Sequence, residues 1–128
     1  TVSDLYTPYV FPQENGNRTD VRWVAFTDVR GAGLLAIGDP MLNFSAHYFT
    51  TADLENARHT CDLVPRDEIT LNLDYAHNGL GTASCGPGPF DHYLLRCEPF
   101  EFTWRLRPLN LDATRPGVEA RDEPEQID

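Results

Sequence analysis

The chain has 128 residues and carries 10 basic against 20 acidic side chains, a net charge of −10. All ten basic residues are Arg. A surface that follows nucleic-acid phosphates or anionic lipids needs a cationic stripe, so we predict neither a nucleic-acid nor a membrane partner. No apolar run approaches the length of a transmembrane helix. The hydrophobic fraction of 41% is sufficient for a folded core.

Cysteine use indicates a reducing compartment. Three cysteines are an odd number, and a chain of this length does not depend on disulfides, so we predict free thiols in a cytoplasmic protein. His59 and Cys61 form the only close His/Cys pair, and no C-x-x-C motif is present. We therefore expect buried thiols and surface histidines rather than a metal site.

The dominant hydrophobic period is two, which predicts antiparallel strands with one buried and one solvated face. In chain order, the predicted strands are 21–27, 34–37, 42–48, 69–75, 90–97 and 100–107. A turn at Gly38-Asp39-Pro40 separates the second from the third. In the last strand, the face with Trp104 and Leu106 is predicted to be buried, and the face with Arg105 and Arg107 to be solvated. The fold class is therefore all-β, an antiparallel β-sandwich.

One segment is predicted to be a short helix, near residues 51–58. Thr50 is a hydroxyl N-cap, Asp53 follows it by three residues as in a capping box, and Arg58 would close the last turn. Residues 1–109 would form the β domain. Residues 110–128 are rich in acidic side chains and are expected to be a solvated tail or loose edge segment.

The residues alone do not name a catalytic set. Cys85 lies in a glycine-rich loop, 79–88, but no partner that would activate its thiol is identifiable. Glu14 lies on a turn, where functional acids often occur. The alternative is that Glu14 and Asn15 satisfy backbone groups of their own loop.

Several segments together are similar to one family. They are Tyr6-Thr7-Pro8-Tyr9-Val10-Phe11-Pro12-Gln13-Glu14-Asn15-Gly16 with the preceding 3–5, then Arg18, Arg22, 43–45, 71–74, 79–81 and the chain from Ser84 onward. They resemble the C-terminal part of bacterial β-galactosidases of glycoside hydrolase family 2, the lactase type. The resemblance runs from about residue 3 to residue 109.

The resemblance implies the later part of a large antiparallel supersandwich, similar in fold to galactose mutarotases. The parent enzyme would hydrolyse terminal β-D-galactosides such as lactose with retention, in the bacterial cytoplasm, by two glutamates on a TIM barrel outside this chain. Magnesium would also bind on that barrel. We therefore expect no catalytic residue here, an inactive isolated chain, and as partners the rest of the enzyme, a galactoside and a second copy of the enzyme.

The resemblance also assigns candidate binding residues. The loop 79–88 would reach the sugar pocket, with substrate contacts from Ser84, Cys85, Gly86, Glu14 and Asn15. Cys85 stands where the best-known members have a Trp that forms a platform for the sugar. A thiol has no π face, so stacking is lost and aglycone preference should differ.

The cofactors implied by the resemblance are magnesium and sodium, both in the parent enzyme. Sodium would be held by the backbone carbonyls of Phe11, Pro12 and Leu54. The chain itself is expected to carry no other cofactor.

A rival interpretation is a free-standing carbohydrate-binding or interaction β-sandwich. It would use an aromatic platform such as Trp23 or Tyr75, although the alternation favours a core position for each of them. Exposed sheet edges and apolar surface would also lead the isolated chain to self-associate.

Overall fold

The computed structural model describes residues 1–79 and 85–122. These residues form four strands, β1 (Arg18–Thr27), β2 (Ala32–His47), β3 (Thr70–Asp74) and β4 (Thr103–Asn110). They also form helices α1 (Thr51–Asn56) and α2 (Pro116–Glu119) and 3₁₀ turns at Val2–Leu5, Thr60–Asp62 and Asp91–Tyr93. The all-β, antiparallel fold class is therefore confirmed. Within the described ranges, no helix has the length and apolarity needed to cross a bilayer.

Strand β2 is the centre of the sheet. Its first part, 32–39, pairs antiparallel with β4, and its last part, 43–47, pairs antiparallel with β3. Strand β1 is its other neighbour. A turn joins β1 to β2, in which the Asp28 carboxylate accepts the N–H groups of Arg30 and Ala32 at 2.8 and 3.0 Å. Gly31 adopts a φ of 80° in this turn, a conformation that favours glycine.

The chain divides into two compact units. The first, here called the α1 unit, comprises residues 1–19 and 43–77 and includes α1 and β3. The second, the α2 unit, comprises 20–42 and the described residues from 78 onward, and includes β4 and α2. In the α2 unit, Leu35, Ile37 and Leu109 form a buried cluster against which Ala25 and Ala120 pack.

Two strand predictions were wrong. Segments 34–37 and 42–48 are one continuous strand, β2, although a Cβ at Gly38 would lie only 2.5 Å from the carbonyl carbon of Met41. The predicted turn therefore marks a tight local bend inside a strand. Segment 90–97 is not a strand: Asp91–Tyr93 forms a 3₁₀ turn, after which the Leu94 N–H donates to the Asp91 carbonyl at 3.2 Å.

The assignment of the two faces of β4 was also wrong. Trp104 and Leu106 are 44% and 45% exposed, whereas Leu109 is buried and Arg107 is largely covered. The reason is α2: Arg107 Nη1 donates to Oε1 of Glu119 at 3.0 Å, so the helix packs on the face that looked solvated. The apolar face of β4 is left bare within this unit.

The expectation of a loose segment after residue 109 does not describe residues 110–122. Ala113 and Thr114 donate N–H groups to the Asn110 carbonyl at 3.0 Å, and Pro116 begins α2, where its missing N–H costs nothing. Ala120 packs on the core of the α2 unit. Residues 123–128 lie outside the described residues, and the boundary at 109 stays a prediction.

The N-terminal cap of α1 is confirmed. Thr50 Oγ1 accepts the Asp53 N–H at 3.1 Å, and Asp53 Oδ2 accepts the Thr50 N–H at 2.8 Å. Leu54 fixes the orientation of the helix by burying its side chain. The helix ends at Asn56, so Arg58 does not close its last turn.

Candidate functional site

The predicted acid Glu14 and its neighbour Asn15 lie in a loop that folds over the α1 unit. The Asn15 side chain accepts the Thr7 N–H at 2.8 Å and donates to the Gln13 carbonyl at 3.0 Å. Glu14 Oε1 accepts a hydrogen bond from Thr51 Oγ1 at 2.6 Å. The Asn15 side chain therefore holds the shape of the loop, while Glu14 ties the loop to the first residue of α1.

His47 connects this loop to the sheet. It is 2% exposed, and its Nε2 lies 2.7 Å from the carbonyl oxygen of Asn15. Because a carbonyl only accepts, Nε2 must carry the proton that is donated. Nδ1 is buried and has no partner in the described residues. Sequence reasoning treated His47 as an isolated structural histidine; the bond to Asn15, 32 positions earlier in the chain, carries no local sequence signal.

Close approach in this region depends on Gly16. Its φ is 74°, and a Cβ at this position would lie 2.4 Å from the Leu5 carbonyl oxygen and 3.2 Å from Cε1 of His47. The Tyr6 ring meets His47 edge-on, with centroids 6.1 Å apart, and the buried Tyr6 hydroxyl has no partner among residues 1–79 and 85–122. Asn15-Gly16 was predicted as a turn, and the positive φ explains why glycine is needed there.

A cavity of about 280 Å³ lies beside these rings. Tyr6, His47, Phe49, Leu63 and Pro65 contribute to its mostly apolar lining. The buried polar atoms of Tyr6 and His47 are themselves shielded from solvent.

The strongest electrostatic feature of the α1 unit is an ion pair beside α1. Arg66 Nε and Nη2 donate to the two oxygens of Asp53 at 2.6 and 2.8 Å, a bidentate pair. These bonds and the Thr50 N–H hold the pKa of the Asp53 carboxyl well below its ordinary value. The same pair raises the pKa of Arg66. These partners therefore hold Asp53 in its charged form at neutral pH.

The second group of predicted site residues lies in the α2 unit. Ser84, with residues 80–83, falls outside the described residues. Cys85 and Gly86 are exposed, and a Cβ at Gly86 would meet nothing within 4 Å. The base of the loop is held on one side, where the Gly79 N–H donates to the Tyr93 carbonyl at 2.7 Å. Among the described residues, open space therefore lies beside Gly86.

The structure therefore brings Glu14, Asn15 and His47 together in one unit, and places Cys85 and Gly86 in the other. The roles assigned to these residues stay predictions. The expectation of buried thiols was wrong, since Cys61, Cys85 and Cys97 are all free and exposed. The description of the histidines as surface groups was wrong for His47.

The sodium ligands suggested by the resemblance can be tested against the hydrogen bonds. The carbonyl of Leu54 would ordinarily accept from Arg58, but the Arg58 N–H donates to Asp62 Oδ2 at 3.1 Å. No hydrogen bond is made by the carbonyls of Phe11 and Pro12 to the described residues. Carbonyl oxygens without a protein donor are of the type that a hard cation binds, and sodium at these three atoms stays a prediction. No group of three or more His, Cys, Asp or Glu side chains suited to a metal occurs in residues 1–79 and 85–122.

Comparison with known proteins decides the family. Residues 1–106 match the family model described as β-galactosidase small chain. This chain belongs to the β-galactosidase small-chain family. The match includes both groups of predicted site residues and ends within β4, so α2 lies beyond it.

Curated relatives of this member of the small-chain family carry the name β-galactosidase. That of Kluyveromyces lactis is 35% identical over 98 residues, which is 77% of this chain and 10% of the relative. Those of Priestia megaterium and Vibrio cholerae are 37% and 38% identical, each over 81 residues and 63% of this chain, and 8% and 7% of the relative. The chain thus spans about a tenth of the length of the curated relatives it matches.

Proposed function

We propose that this chain forms the C-terminal β-sandwich portion of a β-galactosidase that hydrolyses terminal β-D-galactosides such as lactose. The family and the names of the relatives support the enzyme class. This chain matches only about a tenth of each relative. That small share favours a structural role for it over a catalytic one. The two carboxylates that retaining hydrolysis requires come from the rest of the enzyme.

The observation that carries this proposal is the bare apolar face of β4. Trp104 and Leu106 are nearly half exposed, although they alternate with residues that α2 covers. Burial of large apolar side chains is the main source of stability at a permanent interface. We therefore propose that the rest of the β-galactosidase packs on this face, either in the same chain or as a separate chain.

The loop 79–88 would complete the sugar pocket of the assembled enzyme. Its support is that Cys85 and Gly86 are open while Gly79 and Tyr93 hold the base. A thiol offers a small contact in place of an aromatic platform, so sugars in the acceptor position should bind weakly. Changing Cys85→Trp in the assembled enzyme should lower the concentration of glucose needed for transglycosylation; an unchanged requirement would refute a contact role for this position.

Glu14 is the second proposed contact. One carboxylate oxygen bonds Thr51, which leaves the other free to accept a hydrogen bond from a sugar hydroxyl. Asn15 would act by holding the loop through Thr7 and His47. Sodium, bound by the carbonyls of Phe11, Pro12 and Leu54, would brace the same loop against α1, and magnesium would bind elsewhere in the enzyme. A cytoplasmic location is supported by three free, exposed thiols.

The experiment uses the isolated chain and a chimera. In the chimera, the matched segment of the Priestia megaterium β-galactosidase is replaced by residues 1–122 of this chain, and hydrolysis of o-nitrophenyl β-D-galactoside is measured. We expect no hydrolysis by the chain alone, and hydrolysis by the chimera well above that of the deleted parent. Turnover by the chain alone, or a chimera no better than the deletion, would refute the proposal.

The matched control tests the bare face. Trp104→Ser with Leu106→Ser should abolish activity of the chimera, because the partner loses its apolar contact. Val29→Ser, at a fully exposed turn position outside that face, should leave the activity unchanged.

A further inference from the structure

A second cavity, of about 370 Å³, lies within the α2 unit. Arg22 and Trp23 of β1, Asp39 of β2, Arg105 of β4 and Arg121, just after α2, contribute to its lining. Arg105 is paired in register with the buried Ile37, so it projects from the face of the sheet that α2 covers. The cavity is thus built by three strands and a helix, and its volume falls in the range of small-molecule sites.

The charge of this cavity is opposite to that of the chain. Three of the ten arginines line it, against the single carboxylate of Asp39, in a protein with a net charge of −10. Neither Arg22 nor Arg121 forms an ion pair with any described residue. Arg105 donates to the backbone carbonyl of Asp122 at 3.4 Å, a weak bond. Three arginines at one cavity, with no carboxylate partner among residues 1–79 and 85–122, make it suited to an anion.

Trp23 supplies an apolar wall. Its side chain is 40% exposed, so the prediction that it belongs to the core was wrong. A Cβ at Gly117 of α2 would lie 3.6 Å from Cζ2 of the indole, which is ordinary contact, so the helix supports one edge of the ring. A supported and accessible indole is suited to stacking on the C–H face of a sugar ring.

We propose that this cavity binds a phosphate monoester of a monosaccharide. Arg binds phosphate through two parallel hydrogen bonds, and a monoester carries close to two negative charges at neutral pH. The indole of Trp23 stacks on the sugar ring. Asp39 repels a bare anion but accepts hydrogen bonds from sugar hydroxyls, so it selects the ester over inorganic phosphate. This role would explain why a carboxylate lies among the arginines of the cavity.

The test of this site does not depend on the proposed galactosidase role, because binding is measured on this chain alone. Isothermal titration calorimetry of the full chain at low salt compares galactose 6-phosphate, galactose, inorganic phosphate and adenosine monophosphate. We expect saturable binding of galactose 6-phosphate, with weaker binding of inorganic phosphate and none of galactose. Absence of saturable binding of the sugar phosphate would overturn the proposal. Equal affinity for inorganic phosphate would show an adventitious anion site only, and tighter binding of the nucleotide would overturn the assignment to a sugar.

Variants separate a built site from general electrostatic attraction. Arg22→Gln and Arg121→Gln should each weaken binding of galactose 6-phosphate by about tenfold, the usual size of one lost charge-assisted contact. Arg96→Gln removes the same charge outside the cavity and should change the affinity less than about twofold. Asp39→Asn should reduce the ratio of the affinity for galactose 6-phosphate to the affinity for inorganic phosphate. Equal losses in Arg96→Gln and Arg121→Gln would overturn the proposal, and far-ultraviolet circular dichroism checks that each variant is folded.

Discussion

The two units of this chain differ in how their polar and apolar side chains are covered. In the α1 unit, the Asp53 carboxylate is held by Arg66, and Nε2 of His47 by the Asn15 carbonyl. In the α2 unit, a small apolar cluster around Leu35 is covered by α2, while Trp104 and Leu106 remain open. The α1 unit also exposes large apolar side chains, among them Val10, Phe11 and Val64. In the α2 unit, one face of β4 is covered by α2, and we propose that the rest of the enzyme covers the other.

The largest effect should come from the core of the α2 unit. Leu35 has no exposed surface, so Leu35→Ala leaves a cavity and should lower the free energy of unfolding by about 2–5 kcal/mol. The matched change Leu106→Ala, on the bare face, should cost less than about 1 kcal/mol. Urea denaturation followed by tryptophan fluorescence measures both. Equal losses would show that the two faces are equally packed.

The next effect should come from Gly16 in the α1 unit. Gly16→Ala places a Cβ against the Leu5 carbonyl oxygen at a φ of 74°, so we expect a loss of stability of about 1–3 kcal/mol. Gly86→Ala is the control, since open space surrounds that residue, and it should change stability by less than about 0.5 kcal/mol. The comparison is made by thermal denaturation. A neutral Gly16→Ala would mean that the loop is not held against the sheet.

A smaller effect on the free energy of unfolding should appear at acidic pH. The Arg66 hydrogen bonds lower the pKa of Asp53 in the folded state, so this carboxylate contributes stability above its unfolded pKa, about 3.9, and the contribution is lost as the pH falls below that value. Asp53→Asn should therefore be less stable than the parent at neutral pH. The difference should shrink as the pH falls below about 4, because the unfolded parent then binds a proton at Asp53 that the folded parent does not. A difference independent of pH would exclude the ion pair as its source.

The period-two pattern and the capping chemistry of the sequence were sufficient for the fold class, three strand segments and α1. Thr50 and Asp53 were predicted as a capping box because both partners lie three residues apart, and local chemistry of this kind is legible in sequence. The two faces of β4 were reversed, because the alternation does not say which face another element covers. That depended on α2, whose contacts come from a segment that looked like a solvated tail.

The candidate sites also differ in how far the sequence could predict them. Glu14 and Asn15 were singled out because an acid and an amide on a turn are visible in sequence, and their binding role stays a prediction. Their connection to His47 was not, because that hydrogen bond spans 32 residues. The arginine-lined cavity was missed for the same reason: Arg22, Arg105 and Arg121 are far apart in the chain and meet only through the sheet.

The most direct test of the account is sedimentation velocity of the isolated chain over a range of concentrations. If the face of Trp104 and Leu106 is built to be covered, the parent chain should self-associate as concentration rises, and Trp104→Ser with Leu106→Ser should remain monomeric. A parent chain that stays monomeric at the highest concentration, or a double variant that associates as strongly as the parent, would contradict the claim.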